Sequence, residues 1–302
     1  MILTITPNPA VDQTVQIEED LEAGRVQRST GAQFDSGGNG INVSQFLQAF
    51  DAETVATGIT GGFTGYFIEQ DLADYDVPTD FVSTEDPTRL NTTIHAAGNE
   101  YRLNQSGPDV DPSIVDDIIE TALDHEPDIL NIGGSLPPGL DSAAVDRIAA
   151  AGEWETALDI HGERLPDIDH GAEYVKPNEV ELEAATGIEV DSIDDCAQAA
   201  RELQGMGYER VLASMGSDGA LLVTPDETLY APALDVEAID TVGAGDSMFA
   251  GALWAYEQGY GDERALKTAV SVSSQVVEVH GPSARHLDPE ARIDDVRLWS
   301  MR

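Results

Sequence analysis

Cysteine is almost missing from this sequence. Cys196 stands alone among 302 residues, which excludes an intrachain disulfide and leaves no thiolate cluster for a metal. Lysine is nearly as scarce: Lys176 and Lys267 are the only two, and the remaining basic residues are arginines. Neither lysine follows a Gly-x4-Gly, so a phosphate loop of the Walker type is excluded. No apolar run approaches the roughly 18 residues needed to span a bilayer. Met1-Ile-Leu-Thr-Ile5 reads as a strand with no signal peptide ahead of it, so a cytoplasmic protein is expected. The six histidines (His95, His125, His161, His170, His280 and His286) include no His-Glu-x-x-His pair and read as surface or packing residues. Gly38-Asn39-Gly40 continues into Ile41-Asn42-Val43, so the dinucleotide pattern Gly-x-Gly-x-x-Gly is incomplete as well.

Positive charge is the other shortage. Fifty-seven acids face fifteen Lys and Arg, a formal net charge of −42, and the acids are spread along the whole chain. Such a surface repels nucleic acid, anionic membrane and itself at ordinary salt. At molar salt the screening length falls to about 3 Å and the self-repulsion largely disappears. The composition therefore reads as adaptation to a salt-rich cytoplasm. A cation buffer would need clustered acids, and no such loop is evident.

Apolar runs recur between helical patterns at Ile2–Thr6, Thr54–Gly58, Asp128–Gly133, Ala157–Ile160, Tyr174–Lys176 and Val211–Ser214. A helix after Asn42 carries Val43, Phe46, Leu47 and Phe50 on one face. This alternation predicts an α/β fold, a mostly parallel sheet covered by helices on both sides. Gln13–Ile17 with Arg25–Phe34, and Thr88–Ala97 with Glu100–Asn104, break the rhythm as hairpins, the second turning at Gly98-Asn99. A small β-sheet lid inserted into one domain spanning 1–302, with lid strands within about 9–34 and 88–105, accommodates both. The last twenty-one residues, from Pro282 and including Pro289, read as a surface helix and tail.

The most informative segment is Asp240-Thr-Val-Gly-Ala-Gly-Asp246-Ser247. The spacing of Phe249, Ala252, Leu253 and Tyr256 after it is that of an amphipathic helix. The Gly-Ala-Gly turn thus delivers backbone N–H groups and a carboxylate to a helix N-terminus, where unpaired N–H groups attract an anion. Asp246 could merely cap the helix, as Asp readily does. A base taking a proton from a substrate hydroxyl gives a better reason for an acid beside an anion site.

With further segments the sequence resembles the ribokinase-like, PfkB-type sugar kinases over essentially its whole length. Asp240–Asp246 matches that family's C-terminal signature, and Ser36-Gly37-Gly38-Asn39-Gly40-Ile41-Asn42-Val43 matches its N-terminal glycine motif. Gly134–Gly139, Lys176–Leu182 and Ser214–Gly219 match further motifs in the right order. Asn8–Asp12 and Thr88–Asn91 look like the branch acting on ketose phosphates, and Gly61–Gly65 and Leu158–Glu163 look closest to its 1-phosphofructokinases. The resemblance implies a ribokinase-like fold and an ATP- and Mg²⁺-dependent kinase. Its expected substrate is fructose 1-phosphate or a related ketose phosphate, with fructose 6-phosphate or tagatose 6-phosphate kinases as the near alternative and a non-catalytic sugar-phosphate sensor as a distant one.

The resemblance also implies roles. Asp246 is the expected base, with the amides of Gly243, Ala244 and Gly245 as an anion hole. Asn178 and Glu181 are the expected Mg²⁺ holders, acting largely through its waters, although on local evidence they read as a capping box. Asp12, Gly37, Gly38, Asn39, Asn42 and Ser135 are expected at the sugar. For Asp12 an Asx-turn after Pro9 is equally compatible with the local sequence, and Ser135 could instead shape only the turn before Pro137. Lys176, Ser214, Gly216, Ser217 and Gly219, together with Gly245, are expected at the nucleotide. Many 1-phosphofructokinases and tagatose-6-phosphate kinases carry lysine where Asn39 stands, so the substrate's phosphate needs another cation. Arg25, Arg28, Arg89 and Arg102, all expected on lid strands, are the candidates; Arg89 fits the motif best, and a guanidinium fork suits phosphate. A homodimer through the lid edge is also expected.

The acid excess makes a prediction independent of activity. The melting temperature should fall steeply as KCl is lowered from molar to about tenth-molar, as the screening length lengthens. A melting temperature flat in salt refutes the halophilic reading.

Overall fold

A computed structural model describes residues 1–279 and 286–301. His280 and Pro282, singled out in the sequence, lie outside the described residues. From the N-terminus, β1 (Ile2–Thr6) enters the core and β2 (Ala10–Ile17) and β3 (Gly31–Gly37) leave it as a hairpin. The chain returns through α1 (Asn39–Ala49), β4 (Thr54–Gly61), α2 (Gly62–Asp74) and β5 (Val82–Thr84), and leaves again as the hairpin β6 (Arg89–Ala96) and β7 (Asn99–Leu103). Then follow α3 (Ile114–His125), β8 (Ile129–Gly133), α4 (Ser142–Ala149), β9 (Glu155–Asp159), β10 (Ala172–Val175), α5 (Glu179–Thr186), α6 (Ile193–Gly205) and β11 (Tyr208–Ser214). β12 (Ala220–Val223), β13 (Thr228–Ala231), α7 (Ala244–Glu257), α8 (Asp262–Val276) and β14 (Trp299–Met301) complete the fold.

The large sheet has ten strands in the order β14-β13-β12-β11-β10-β9-β8-β1-β4-β5. It is parallel from β5 to β11, and the last three strands add antiparallel. Strands buried on both faces need apolar residues at successive positions rather than alternation, which is why the short apolar runs were readable. One face is covered by α3, α4, α5 and α6 through Val115, Ile118, Val145, Leu182 and Leu203. The other is covered by α1, α7 and α8 through Phe46, Leu47, Phe249, Leu253, Leu266 and Val270. A separate four-stranded sheet, β3-β2-β6-β7, joins the two hairpins by a parallel β2–β6 pairing that sets Asp12 opposite Asn91. Among the described residues no helix is long and apolar enough to cross a membrane.

Five local expectations need correction. β3 begins at Gly31, not near Arg25, because residues 18–30 close on themselves: Gln27 donates to the Asp20 carbonyl, the Glu22 N–H donates to Gln27 Oε1, and Arg25 pairs with Glu22. Such local bonds compete with a strand ladder. Arg25 and Arg28 are therefore not on strands of the small sheet. The second hairpin turns at Ala97-Gly98, which take the two positive φ values (46° and 85°) a tight hairpin requires, so Asn99 already belongs to β7. α1 starts at Asn39, three residues before Asn42. α7 is not amphipathic: Met248, Ala250, Gly251 and Ala255 are buried along with Phe249, Ala252 and Leu253, because α1 and α8 pack on it. Finally, the C-terminal segment ends in β14, paired with β13, rather than in a helix.

Candidate active site

Gly243 caps α7 in the left-handed region at φ 77°, a conformation glycine adopts without Cβ strain. The chain then turns straight into Ala244-Gly245-Asp246. Asp246 lies in the first helical turn, and no side chain caps this helix, so the capping explanation fails. Its carboxylate instead accepts a 2.7 Å hydrogen bond from Asn42 Nδ2 on α1. Burial, and next the negative charge of Asp159, push the Asp246 carboxyl well above the usual carboxylate range; Lys176 and the Asn42 bond act against them. Of the three amides expected to hold an anion, that of Ala244 also makes a long 3.3 Å bond to the Thr241 carbonyl.

Behind this turn lies a buried ion pair. Lys176, just past β10, places Nζ 3.1 Å from Asp159 Oδ1 at the end of β9, and the side chains are only 6% and 2% exposed. Asn39 Nδ2 donates to the other oxygen, Asp159 Oδ2, at 3.0 Å. Asn39, expected at the substrate, thus lines the cleft with its amide nitrogen engaged by Asp159. Burial works to lower the proton affinity of Lys176, but Asp159, Asp246 and Glu181 outweigh it and hold the ammonium charged. A methyl group on Gly245 would lie 3.5 Å from Lys176 Nζ, so the ammonium stands beside the glycine turn.

These groups open onto a cleft of about 840 Å³ that also contains Asn178, Glu181, Ser214, Gly216, Ser217 and Gly219. Its remaining wall includes Leu234, Val236, Val270 and Val277, apolar residues suited to a planar ring that no motif marked. Gly219 sits at φ 99°, and a methyl group there would lie 2.1 Å from the Ala231 carbonyl, so only glycine fits that turn. Asn178 and Glu181 do form the capping box at the start of α5: Glu181 N–H donates to Asn178 Oδ1 and Asn178 N–H to Glu181 Oε2, both at 2.9 Å. Burial chiefly raises the Glu181 carboxyl above its ordinary range. Among the described residues no three metal-ligating side chains stand together. Oxygen donors spread around a cleft, with part of Glu181 already committed, fit a magnesium ion that keeps much of its water rather than one in a protein cage.

Asn42 belongs to α1, the helix that follows directly on β3 of the small sheet. Asp12 lies within β2, not in an Asx-turn, and accepts from Asn91 Nδ2 at 2.9 Å. Desolvation raises its carboxyl, with Asn91 and Arg89 opposing. A methyl group on Gly37 would stand 2.0 Å from Asp12 Oδ2, so this glycine lets the two strands of the hairpin close around the carboxylate. Gly38, at φ 130°, leads into α1 and leaves no room for a side chain against Thr6. Arg89 donates to the carbonyls of Asn8 (2.9 Å), Gln105 (3.3 Å) and Pro9 (3.4 Å), where the hairpins join the core. Ser135 Oγ accepts from Asn8 Nδ2 at 3.1 Å. Arg25 is exposed and paired with Glu22, and Arg102 is paired with Glu100. Asp159 and Asn91 are the polar groups whose place in this network the residue-by-residue reading missed. An acid closing an apolar strand, at the carboxyl edge of a parallel sheet, was the available signal for Asp159.

The sequence model of the pfkB family carbohydrate kinases matches residues 6–288. The chain is 49% identical to the 1-phosphofructokinase of Haloferax volcanii over 288 residues, 95% of this chain and 94% of that one. It is 34% identical to the D-tagatose-1-phosphate kinase of Bacillus licheniformis, with 91% of each chain covered. Phosphofructokinase-2 from Escherichia coli, solved in complex with potassium, superposes with a TM-score of 0.88 at 30% identity, over 97% of both chains.

The arrangement predicts a titration. Asp159→Asn removes the negative charge facing Asp246 and releases Lys176 from its partner, and both changes favour the Asp246 anion. Its carboxyl should therefore titrate at lower pH in the variant, as read by carbon-13 carboxyl NMR in molar KCl. An unchanged or higher titration point would show that Asp159 does not act on Asp246.

Proposed function

The chain belongs to the pfkB family of carbohydrate kinases, and from that premise we propose that it transfers the γ-phosphoryl group of ATP to the C6 hydroxyl of fructose 1-phosphate, giving fructose 1,6-bisphosphate. The observation that carries the chemistry is an Asp246 carboxylate that caps nothing, lies at a glycine turn, and is held by Asn42. Asp246 takes the hydroxyl proton as that oxygen attacks. Its raised proton affinity brings it towards the pH at which a general base works best. The N–H groups of the Gly243–Gly245 turn and the fixed ammonium of Lys176 stabilise charge on the moving phosphoryl group, the main task in phosphoryl transfer.

The nucleotide lies in the cleft between the Ser214–Gly219 turn and the apolar wall of Leu234, Val236, Val270 and Val277. Asn178 and Glu181 hold Mg²⁺ through its waters; when bound, the ion neutralises phosphate charge. Asp12 accepts hydrogen bonds from sugar hydroxyls, with Gly37 and Gly38 allowing close approach. With Asn39 engaged by Asp159, we assign the substrate's own phosphate to Arg89, whose fork already stands near Asp12. The small sheet is then a lid on a single catalytic domain, excluding water from the reaction. Phe34, Tyr101 and Leu103 are exposed on its two outer strands, β3 and β7, which supports a homodimer through the lid. The absence of any spanning helix among the described residues accords with a cytoplasmic enzyme.

The near alternative is a sister kinase for tagatose 1-phosphate or a ketose 6-phosphate. Initial rates in molar KCl with ATP and Mg²⁺ separate them. The kcat/KM should be highest for fructose 1-phosphate, and much lower for fructose, which offers Arg89 no phosphate. A higher value for tagatose 1-phosphate, fructose 6-phosphate or tagatose 6-phosphate moves the protein to that activity, and an equal rate on fructose removes the phosphate role of Arg89. Asp246→Asn should lower kcat by roughly 10²–10⁴-fold with the fold intact; near-normal turnover would exclude Asp246 as the base. Sedimentation in molar KCl should give twice the chain mass, and a monomer would exclude the lid dimer.

A further inference from the structure

Strand β3 is held at its root by one face of α2. Asp71 Oδ2 accepts from both the Ser36 N–H (3.0 Å) and the Ser36 hydroxyl (2.6 Å). Gln45 on α1 donates to the same hydroxyl at 3.3 Å, so a buried Ser36 is fixed from two helices. One helical turn earlier, Phe67 meets Phe34 edge-on, with ring centres 6.3 Å apart. Phe67 and Asp71 are four apart on a helix and Phe34 and Ser36 two apart on a strand, so each pair shares a face and the two contacts form one seam.

We propose that Asp71 is a positioning residue for the sugar phosphate: by anchoring Ser36 it keeps Gly37 packed against the Asp12 carboxylate. Ser36 and Gly37 pair with Val11 and Ala10, directly ahead of Asp12 on β2. With only 2.0 Å between Asp12 Oδ2 and the place of a Gly37 methyl group, a small shift of Gly37 either crowds the carboxylate or frees it to rotate. An ionised acceptor of two donors is a stronger anchor than a neutral one. The catalytic side has supports of its own besides the Gln45–Ser36 bond. α1 has its own ties to β1, from the Ile41 N–H to Thr6 Oγ1 (2.9 Å) and between Ser44 and Thr4 (2.7 Å), so Asn42 and its bond to Asp246 keep their place when Ser36 is loosened. The loss therefore falls on sugar binding and spares turnover. The inference rests on the reading of Asp12 as the sugar ligand.

Steady-state kinetics in molar KCl test it. Asp71→Ala should raise the KM for fructose 1-phosphate about tenfold, the size expected for losing a charge-assisted hydrogen bond. The KM for ATP and kcat should stay within about twofold, since only sugar binding is weakened. Asp71→Asn, which keeps an acceptor oxygen but not the charge, should recover part of the loss. Ser36→Ala, which removes only the hydroxyl arm of the contact, should show part of it and should cost less in the Asp71→Ala background than alone, because the two share that arm. Equal rises in both KM values, or no rise for the sugar phosphate, would overturn the proposal. Asp12→Ala in the same assay separates the two layers of inference: an unchanged sugar KM there defeats the Asp12 reading itself, whereas a large rise there with none in Asp71→Ala defeats the anchor alone.

Discussion

The Lys176–Asp159 pair is the constraint around which the active site is arranged. Three acids, Asp159, Glu181 and Asp246, share one cleft, and the nucleotide proposed to enter it would bring further negative charge. A fixed cation is needed there, and a buried ammonium is tolerated only beside an anion that compensates for its lost hydration. Adjacent parallel strands supply that geometry, since β9 and β10 carry the two side chains to the same edge of the sheet. Removing one partner from such a pair typically costs about 3–5 kcal/mol. Asn39 follows from the same logic: it satisfies the second oxygen of Asp159 without adding charge. A lysine at that position would give Asp159 two cations and leave less of its field to act on Asp246.

The acid excess does not reach the apolar core. The apolar clusters on both sheet faces are built from Leu, Ile, Val, Phe and Ala, as in any protein of this architecture. Several of the scarce cations hold more than one partner. Arg210 lies over the rings of Tyr174 and Tyr256 while its Nε binds Asp262, and the N-terminal ammonium is shared by Asp128 and Glu257. Of two lysines, one is buried at the cleft proposed for catalysis. Surface composition and site chemistry have thus been set almost independently, which is why the first could be read without disturbing the second.

The six central strands of the large sheet, β1, β4, β8, β9, β10 and β11, were legible because burial on both faces writes them as unbroken apolar runs, whereas the flanking β5, β12, β13 and β14 were not read from the sequence. Both hairpins were legible because their alternation broke that rhythm. The misplaced edges have local causes: side-chain bonds that hold residues 18–30 in a loop, and a turn set by Ala97 rather than Asn99, a residue far less expected at positive φ. The burial of α7 was hidden because small residues such as Ala250, Gly251 and Ala255 carry little hydrophobic signal yet allow close helix packing. At the candidate site, Asn42 from the first glycine motif and Asp246 from the second are joined by a hydrogen bond. Asp159, Asn91 and Asp71 act through partners 17 to 120 residues away, and spacing along a chain contains no trace of that.

The small sheet is closed by a pairing between distant parts of the chain, Asp12 opposite Asn91. Its two hairpins are each local, and an isolated two-stranded hairpin has marginal stability in water. Neither has a complete partner until the other has been synthesised and the core strands between them have docked, so their union carries the loop-closure entropy of a long-range contact. The N-terminal hairpin, made first on the ribosome, therefore waits with an open edge while the chain that will cover it is still emerging. The groove assigned to the sugar is in this sense a late product of assembly, although its first acid belongs to the opening dozen residues.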